Sequence, residues 1–379
     1  MSICIKSEIY LKVQRFTISA LALALAACTH VNSPATSAHY SMSDYYMVQK
    51  FDAHVHANSA STAFIELAQQ DNIKLLSINV DYPDFPNIDE QATIAQHFAK
   101  TYPEVFYFAT TFSMLGSDSP NWKSNVINRI DTAVDKGAIA VKVWKNIGME
   151  FRDQAQNLVM IDSPILDPIF NHIQQIDIPL IGHQGEPKNC WLPASEMTVN
   201  NDKQYFAAHP QYHMYLHPEM PSYETQMQVR NNMLDEHPDI HFMGAHLASL
   251  EWSVDQIAIF LDTYPNAVVD LAARMGQVQY QSNIDRQKVR DFFIQYQDRI
   301  LYATDLTHSP QATDSQLKRE VHKKWLEDWQ YLNTELSMTV PEVNGEIIGL
   351  GLPKEVINKL YFANAKRFFK LAPVNSPRK

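Results

Sequence analysis

The chain has 379 residues, 45% of them apolar, and a formal net charge of -11. That is enough apolar side chain to bury a large core, which excludes a disordered or fibrous protein. The acidic balance and the lack of any Lys/Arg cluster exclude a protein built to hold a nucleic-acid backbone.

Residues 1–27 read as a signal peptide. Lys6, Lys12 and Arg15 precede the apolar run "FTISALALALAA", which is too short to span a bilayer as a mature helix. The next motif, "LAAC" at residues 25–28, resembles the lipobox of bacterial lipoproteins, and that resemblance implies a lipidated Cys28 as the mature N-terminus. Thr29 in place of an aspartate implies sorting to the outer membrane. The expected location is the cell envelope, anchored in the outer membrane and facing the periplasm; ordinary cleavage after "ALA" or "LAA" would leave the chain periplasmic. Residues 28–46, rich in Ser, Ala and Thr, read as a tether. Of the cysteines, Cys4 and Cys28 belong to the export segment, so Cys190 has no partner for an intramolecular disulfide.

A single domain is expected over residues 47–379. Eight β-branched or aromatic segments read as strands, at 47–57, 75–83, 105–114, 138–146, 177–186, 239–248, 266–275 and 299–308. Helical periodicity lies between them at 61–72, 89–103, 121–137, 167–177, 223–238, 253–265 and 285–298, several of these ending at Pro or Gly. Strands alternating with helices pair in parallel through right-handed crossovers, and eight such units are the number that closes a (β/α)8 TIM barrel, an α/β fold. A doubly wound open sheet fits less well, because no Gly-rich phosphate loop follows the first strand. Two segments depart from the repeat: the proline- and aromatic-rich stretch 186–223, and an added helix within 311–340. A last helix over 353–371 is expected to cover the outside of the barrel.

In such a barrel reactive groups sit at the carboxyl ends of the strands. The first strand ends with His54 and His56, whose i, i+2 spacing puts both on one face. His183 ends the fifth strand, His246 the sixth and Asp305 the eighth. Imidazoles with one carboxylate and no Cys cluster suit a borderline divalent ion, zinc or manganese, which acidifies water for attack. A group left out of the ligand set, His246 or Asp305, would take the proton. Arg274, Glu186, Trp144, Trp191, Tyr205 and His213 are candidates for lining a pocket for a polar, cyclic or aromatic acid. Lys145 is expected to be exposed.

"DAHVH", "IGHQGEP", "GAHL" and "ILYATDLTH" resemble the amidohydrolase superfamily, in particular its amidohydrolase-2 branch of hydrolases, lactonases and non-oxidative decarboxylases. The resemblance spans about residues 47–372. It implies His54, His56, His183 and Asp305 as ligands of one divalent ion, zinc first and manganese second, with His246 as the proton-transfer residue. Lys142 stands where two-metal members carry a carboxylated lysine; with one metal it is expected to bind a substrate carboxylate. The expected activity is hydrolysis of a C–N or C–O bond, amide or lactone-like, in a small carboxylated cyclic substrate. A non-oxidative decarboxylase on the same site is the alternative, and a degenerate barrel acting as a binding lipoprotein the second. The expected partners are that small molecule and the membrane, with no nucleic acid; a homodimer is left open.

Overall fold

A computed structural model describes residues 38–371. The export segment, with the lipidation expectation for Cys28, and the first part of the tether lie outside the described residues.

The parallel sheet comprises β1 Lys50–Ala57, β2 Ile73–Ile78, β3 Phe106–Thr111, β4 Ala140–Val143, β5 Leu180–Gly182, β6 Phe242–Gly244, β7 Ala267–Asp270, β8 Ile300–Leu301 and β9 Leu306–His308. Its order runs from β8 through β7 and down to β1, and then to β9. β9 pairs in parallel with β1, Val55 opposite Leu306 and Ala57 opposite His308. The link 302–305 is itself bonded to β1: Ala53 N–H donates to the Tyr302 carbonyl at 3.0 Å, and Asp305 N–H to the His54 carbonyl at 2.8 Å. β8 and β9 are therefore two pieces of the eighth strand, and the sheet closes on itself as a (β/α)8 barrel.

The seven helices expected between strands all form, with bounds within three residues of those expected, from Ala63–Gln70 to Arg286–Gln295. The helix Ile88–Thr101 shows why. Asn87 caps it by accepting the backbone N–H groups of Asp89 and Glu90, acidic residues fill its first turn, and Ala95, Phe98 and Ala99 form the buried stripe.

Two apolar layers result. Phe51, Ala53, Leu76, Ile78, Ile181 and Met243 fill the barrel interior, while Val55, Leu75, Phe106, Leu180 and Phe242 pack outward against the helices. Along β1 the alternation changes face once, since Phe51 and Ala53 are inner residues and Val55 and Ala57 outer ones. The cause is a bulge, seen as a register shift against β2 between Asp52 and Val55. It turns both His54 and His56 inward.

Several expectations need correcting. The domain begins before residue 47: Tyr45 is fully buried, its hydroxyl donates to Asp71 at 2.8 Å, and Ala38 accepts from the backbone of Lys354 at 3.0 Å. The last helix is interrupted by a π-turn at Lys359–Ala363. It does more than cover the outside, because Ala365 and Phe369 join the inner layer, with the Phe369 ring 6.2 Å from that of Phe51. A helix at Met275–Ile284 and a hairpin of Ser337–Thr339 with Glu346–Ile348 were not expected. The segment "MGQVQYQSNI" has no apolar stripe to announce a helix; it buries Gln277 and Gln279 as well as Met275 and Val278.

Candidate metal centre

Each candidate side chain stands where its strand hands over to a loop. His54 and His56 belong to β1, His183 follows β5 directly, His246 comes just after β6, and Asp305 lies in the link between β8 and β9. His54 Nε2 is 3.3 Å and His56 Nε2 3.1 Å from the same oxygen, Asp305 Oδ1. Together His54, His56 and Asp305 offer three donor atoms within 4.8 Å of one another.

What lies behind each ring fixes its tautomer. His54 Nδ1 is 2.8 Å from Asp270 Oδ2, His56 Nδ1 is 2.7 Å from the Ile78 carbonyl, and His246 Nδ1 is 2.9 Å from the Ala272 carbonyl. Carbonyls and carboxylates accept hydrogen bonds, so each Nδ1 carries the proton and each Nε2 lone pair is left for a ligand. Burial pushes His54 and His183 down from the ordinary imidazole value, and His246 down to about 3. Burial works against a charge on Asp305, but His246 and His54 beside it hold its carboxyl well below the usual range. Neutral imidazoles and an ionised carboxylate are the protonation states that metal binding requires.

His183 stands beside this group, its ring 4.1 Å from that of His246, which in turn is 5.0 Å from His54. Its Nε2 is buried with no hydrogen-bond partner, as is the Nζ of Lys142 in β4. An orphaned imidazole nitrogen beside two imidazoles and a carboxylate fits a borderline divalent cation.

His246 owes its place to an uncommon turn. His246, Leu247, Ala248 and Ser249 all have φ between 55° and 58°, a left-handed stretch that costs roughly 1–2 kcal/mol per residue. Surrounding groups hold it there: His246 N–H donates to Asp270 Oδ1 at 2.6 Å, Arg230 donates to the Ala248 carbonyl, and Ser249 Oγ donates to the Gln184 carbonyl at 2.8 Å. The turn closes over Gly244, where a Cβ would stand 2.5 Å from that of Ala248. Asp305 is left-handed too, with φ of 68°. Five of the left-handed non-glycine positions, residues 246–249 and Asp305, thus lie where β6 and β8 hand over to their loops.

Asp270, which the sequence reading passed over, serves both sides of the site. It is fully buried and accepts from His54 and from the backbone of His246 through different oxygens. The signal available was an acid closing the apolar run "AVVD", level in the strand register with His183 and one residue before the level of His246.

A cavity of about 250 Å³ opens at the same rim, bordered by Trp144, Lys145, Glu186, Tyr82 and Tyr205 among others. Glu186 and Trp144 thus face it. Lys145 is not exposed as expected; it is part-buried and ion-paired with Glu186. Lys142 and Arg274 do not border this cavity. Arg274 is buried, with one Nη1–H on the Ala273 carbonyl and its Nε without a partner. His213 and Trp191 also lie away from it, their ring nitrogens bonded to the carbonyls of Leu192 and Pro221.

A family model described as Amidohydrolase matches residues 113–371. No curated protein matches the chain. Among solved structures the chain is similar to a 2,6-dihydroxybenzoate decarboxylase from Rhizobium, at 15% identity and a TM-score of 0.49, over 86% of this chain and 99% of that one. It is similar to a 4-oxalomesaconate hydratase from Rhodopseudomonas palustris, at 11% identity and a TM-score of 0.46, over 85% and 96%. It is also similar to an amidohydrolase 2 from Bifidobacterium longum subsp. infantis, at 9% identity and a TM-score of 0.38, over 86% and 100%.

Proposed function

The chain belongs to the amidohydrolase family, and from that premise we propose that it is a metal-dependent hydrolase cleaving a C–N or C–O bond, amide or lactone-like, in a small cyclic substrate that carries a carboxylate. The observation behind this reading is the convergence of the His54, His56 and Asp305 donor atoms beside the unpartnered Nε2 of His183. Those four residues would hold one divalent ion, zinc by the donor set with manganese second. Bound there, the ion would supply Lewis acidity and lower the pKa of water.

The remaining work falls to the chain itself. Asp270 keeps the His54 Nδ1 proton in place and pins the backbone of His246, so one carboxylate positions both a ligand and the proton carrier. His246 is neutral, with its Nδ1 proton engaged on the Ala272 carbonyl. Its Nε2 would take a proton from the attacking water and return it to the leaving nitrogen or oxygen. Lys142, whose ammonium is buried without a partner and pushed down by burial to about 8, would hold the substrate carboxylate. That same ammonium favours a second reading, a non-oxidative decarboxylase that places the departing carboxylate there.

The test is turnover by the purified, zinc-loaded chain with lactones, amides and aromatic acids. Hydrolysis of a lactone or amide, lost on chelation, is expected. In His246→Asn the metal should stay while turnover falls on the order of 10²- to 10⁴-fold. Carbon dioxide release from an aromatic acid, without any amide or lactone hydrolysis, would replace the hydrolase with the lyase.

Attachment to the outer membrane through a lipid on Cys28 is proposed from residues 25–28 alone. No helix among the described residues is long and apolar enough to cross a membrane. Cys28→Ser should shift the chain from the membrane fraction to the soluble one; an unchanged distribution would remove the lipid anchor from the proposal.

A further inference from the structure

The rim cavity has a chemistry at odds with an acid as its occupant. Its lining includes the carboxylates of Asp84, Glu150, Glu186 and Glu219, against a single lysine, Lys145. That lysine is already spent on Glu186. Glu219 has only the half-exposed His217 near it, Nδ1 to Oε1 at 3.5 Å, and Asp84 accepts from a neutral donor, the Tyr82 hydroxyl, at 2.7 Å. Neither Asp84 nor Glu219 has a lysine or arginine partner among the lining residues, while burial pushes the Glu150 carboxyl up and Lys145 draws it back.

Aromatic faces make up much of the rest. The Tyr82 and Trp144 rings meet at 4.9 Å and 56°, and Tyr205 and Tyr212 also border the space. Ring faces present negative potential, and rings combined with carboxylates favour a soft cation over either an anion or a neutral hydrocarbon. Lys145 already illustrates the preference, its Nζ lying 5.3 Å from the centroid of the Trp144 ring.

The cavity is joined to the metal-ligand cluster by a run of rings. Tyr82 lies 5.1 Å from Phe85, and Phe85 lies 5.0 Å from His56. On the other wall, Trp144 and Lys145 directly follow β4, which carries Lys142, and Glu186 closely follows His183. The cavity is thus separated from His56 by the Phe85 ring, and its walls continue along the chain to Lys142 and His183.

We propose that this cavity is a recognition site for an ammonium group, and that the substrate carries such a cation at the end remote from the bond that is cut. The catalytic half of the statement rests on the hydrolase reading above; the binding half does not. A carboxylate at Lys142 and an ammonium among Tyr82, Trp144 and the rim acids would make the substrate zwitterionic.

Matched probes separate charge from shape. Binding of choline and of its neutral isostere, 3,3-dimethylbutan-1-ol, to the full chain would be measured by calorimetry, with and without zinc. Choline should bind about tenfold more tightly, the order expected for a cation among aromatic faces and carboxylates. In the Asp84→Asn, Glu150→Gln double variant most of that difference should disappear; both side chains are exposed, so the fold should stand, as an unchanged melting temperature would verify. Equal affinity for the two probes, or no measurable binding of choline, would each overturn the proposal. Because this measurement needs no turnover, its failure leaves the hydrolase reading standing. A chain that binds choline selectively yet cleaves no amide or lactone fails only that reading.

Discussion

Two groups among the described residues bring histidine and carboxylate donors within 4.8 Å of one another: His54, His56 and Asp305 at the barrel rim, and Asp167, Glu236 and His237 where two helix ends meet. They contain the same ligand types at similar spacing and differ in what surrounds them. At the rim both rings are buried, each Nδ1 is bonded to a fixed acceptor, and each Nε2 points at one carboxylate oxygen. At the helix ends Asp167 is 39% exposed, Glu236 is exposed, and His237 Nε2 stands 3.7 Å from Asp167 without a hydrogen bond. There a cation would have to displace water from solvated carboxylates and freeze their rotamers; at the rim, folding has already met those costs. Proximity of donors is common, whereas donors whose orientation and protonation are set from behind make a site.

The sharpest way to break this contrast is metal content. With His54→Ala and His56→Ala together, elemental analysis of the folded chain should find the ion lost entirely, while His237→Ala keeps about one equivalent. Metal retained in the first variant, or lost in the second, would move the centre to the helix ends.

A smaller effect isolates the orienting group. Asp270→Asn leaves every proposed ligand in place but weakens the hold on the His54 tautomer, and should reduce metal affinity by roughly 10- to 100-fold. Competition with a chelator reads this directly. An affinity equal to that of the parent chain would make Asp270 a packing residue only.

The smallest effect concerns pH and the metal-free chain. Burial lowers His246 to about 3, and lowers His54 and His183 as well. Below about pH 6.5 the unfolded chain takes up protons on these rings while the folded chain does not. Stability therefore falls as pH drops from 6.5 towards 3, by about 1.4 kcal/mol per pH unit from His246 alone. Thermal melts of the metal-free chain between pH 7 and 5 should slope accordingly, and His246→Asn should flatten the slope. An identical slope in the variant would mean that His246 takes up its proton in the folded state as well.

Most of the barrel was legible because its signals are local. Periodicity changing between two and 3.6, capping residues such as Asn87, and Pro or Gly at segment ends located the seven helices, and eight strand segments foretold closure. The helix Met275–Ile284 was not legible, because it is buried on sides that its polar residues do not advertise. The short hairpin was missed for a related reason: among its residues only Ile347 is buried, too little to leave a pattern. In the site, His54, His56, His183, His246 and Asp305 were legible as unusual residues at strand ends. Asp270 was not, since its role is defined by partners at residues 54 and 246, far away along the chain.

Spacing along the chain determined that His54 and His56 share a face, since side-chain direction alternates strictly along a strand. It could not determine which face. Phe51 and Ala53 face the barrel interior, so an unbroken alternation would have sent Val55 inward and both histidines out towards the helices. The bulge between Asp52 and Val55, imposed by pairing with β2, reversed that assignment. The position of His246 was decided in the same way, by a left-handed turn that no local preference would choose and that Asp270, Arg230 and Ser249 hold in place. The sequence by itself thus determined the barrel and the kinds of donor at its rim, because those depend on neighbours along the chain. Their convergence was left to tertiary structure, because it depends on backbone conformations stabilised by residues distant in sequence.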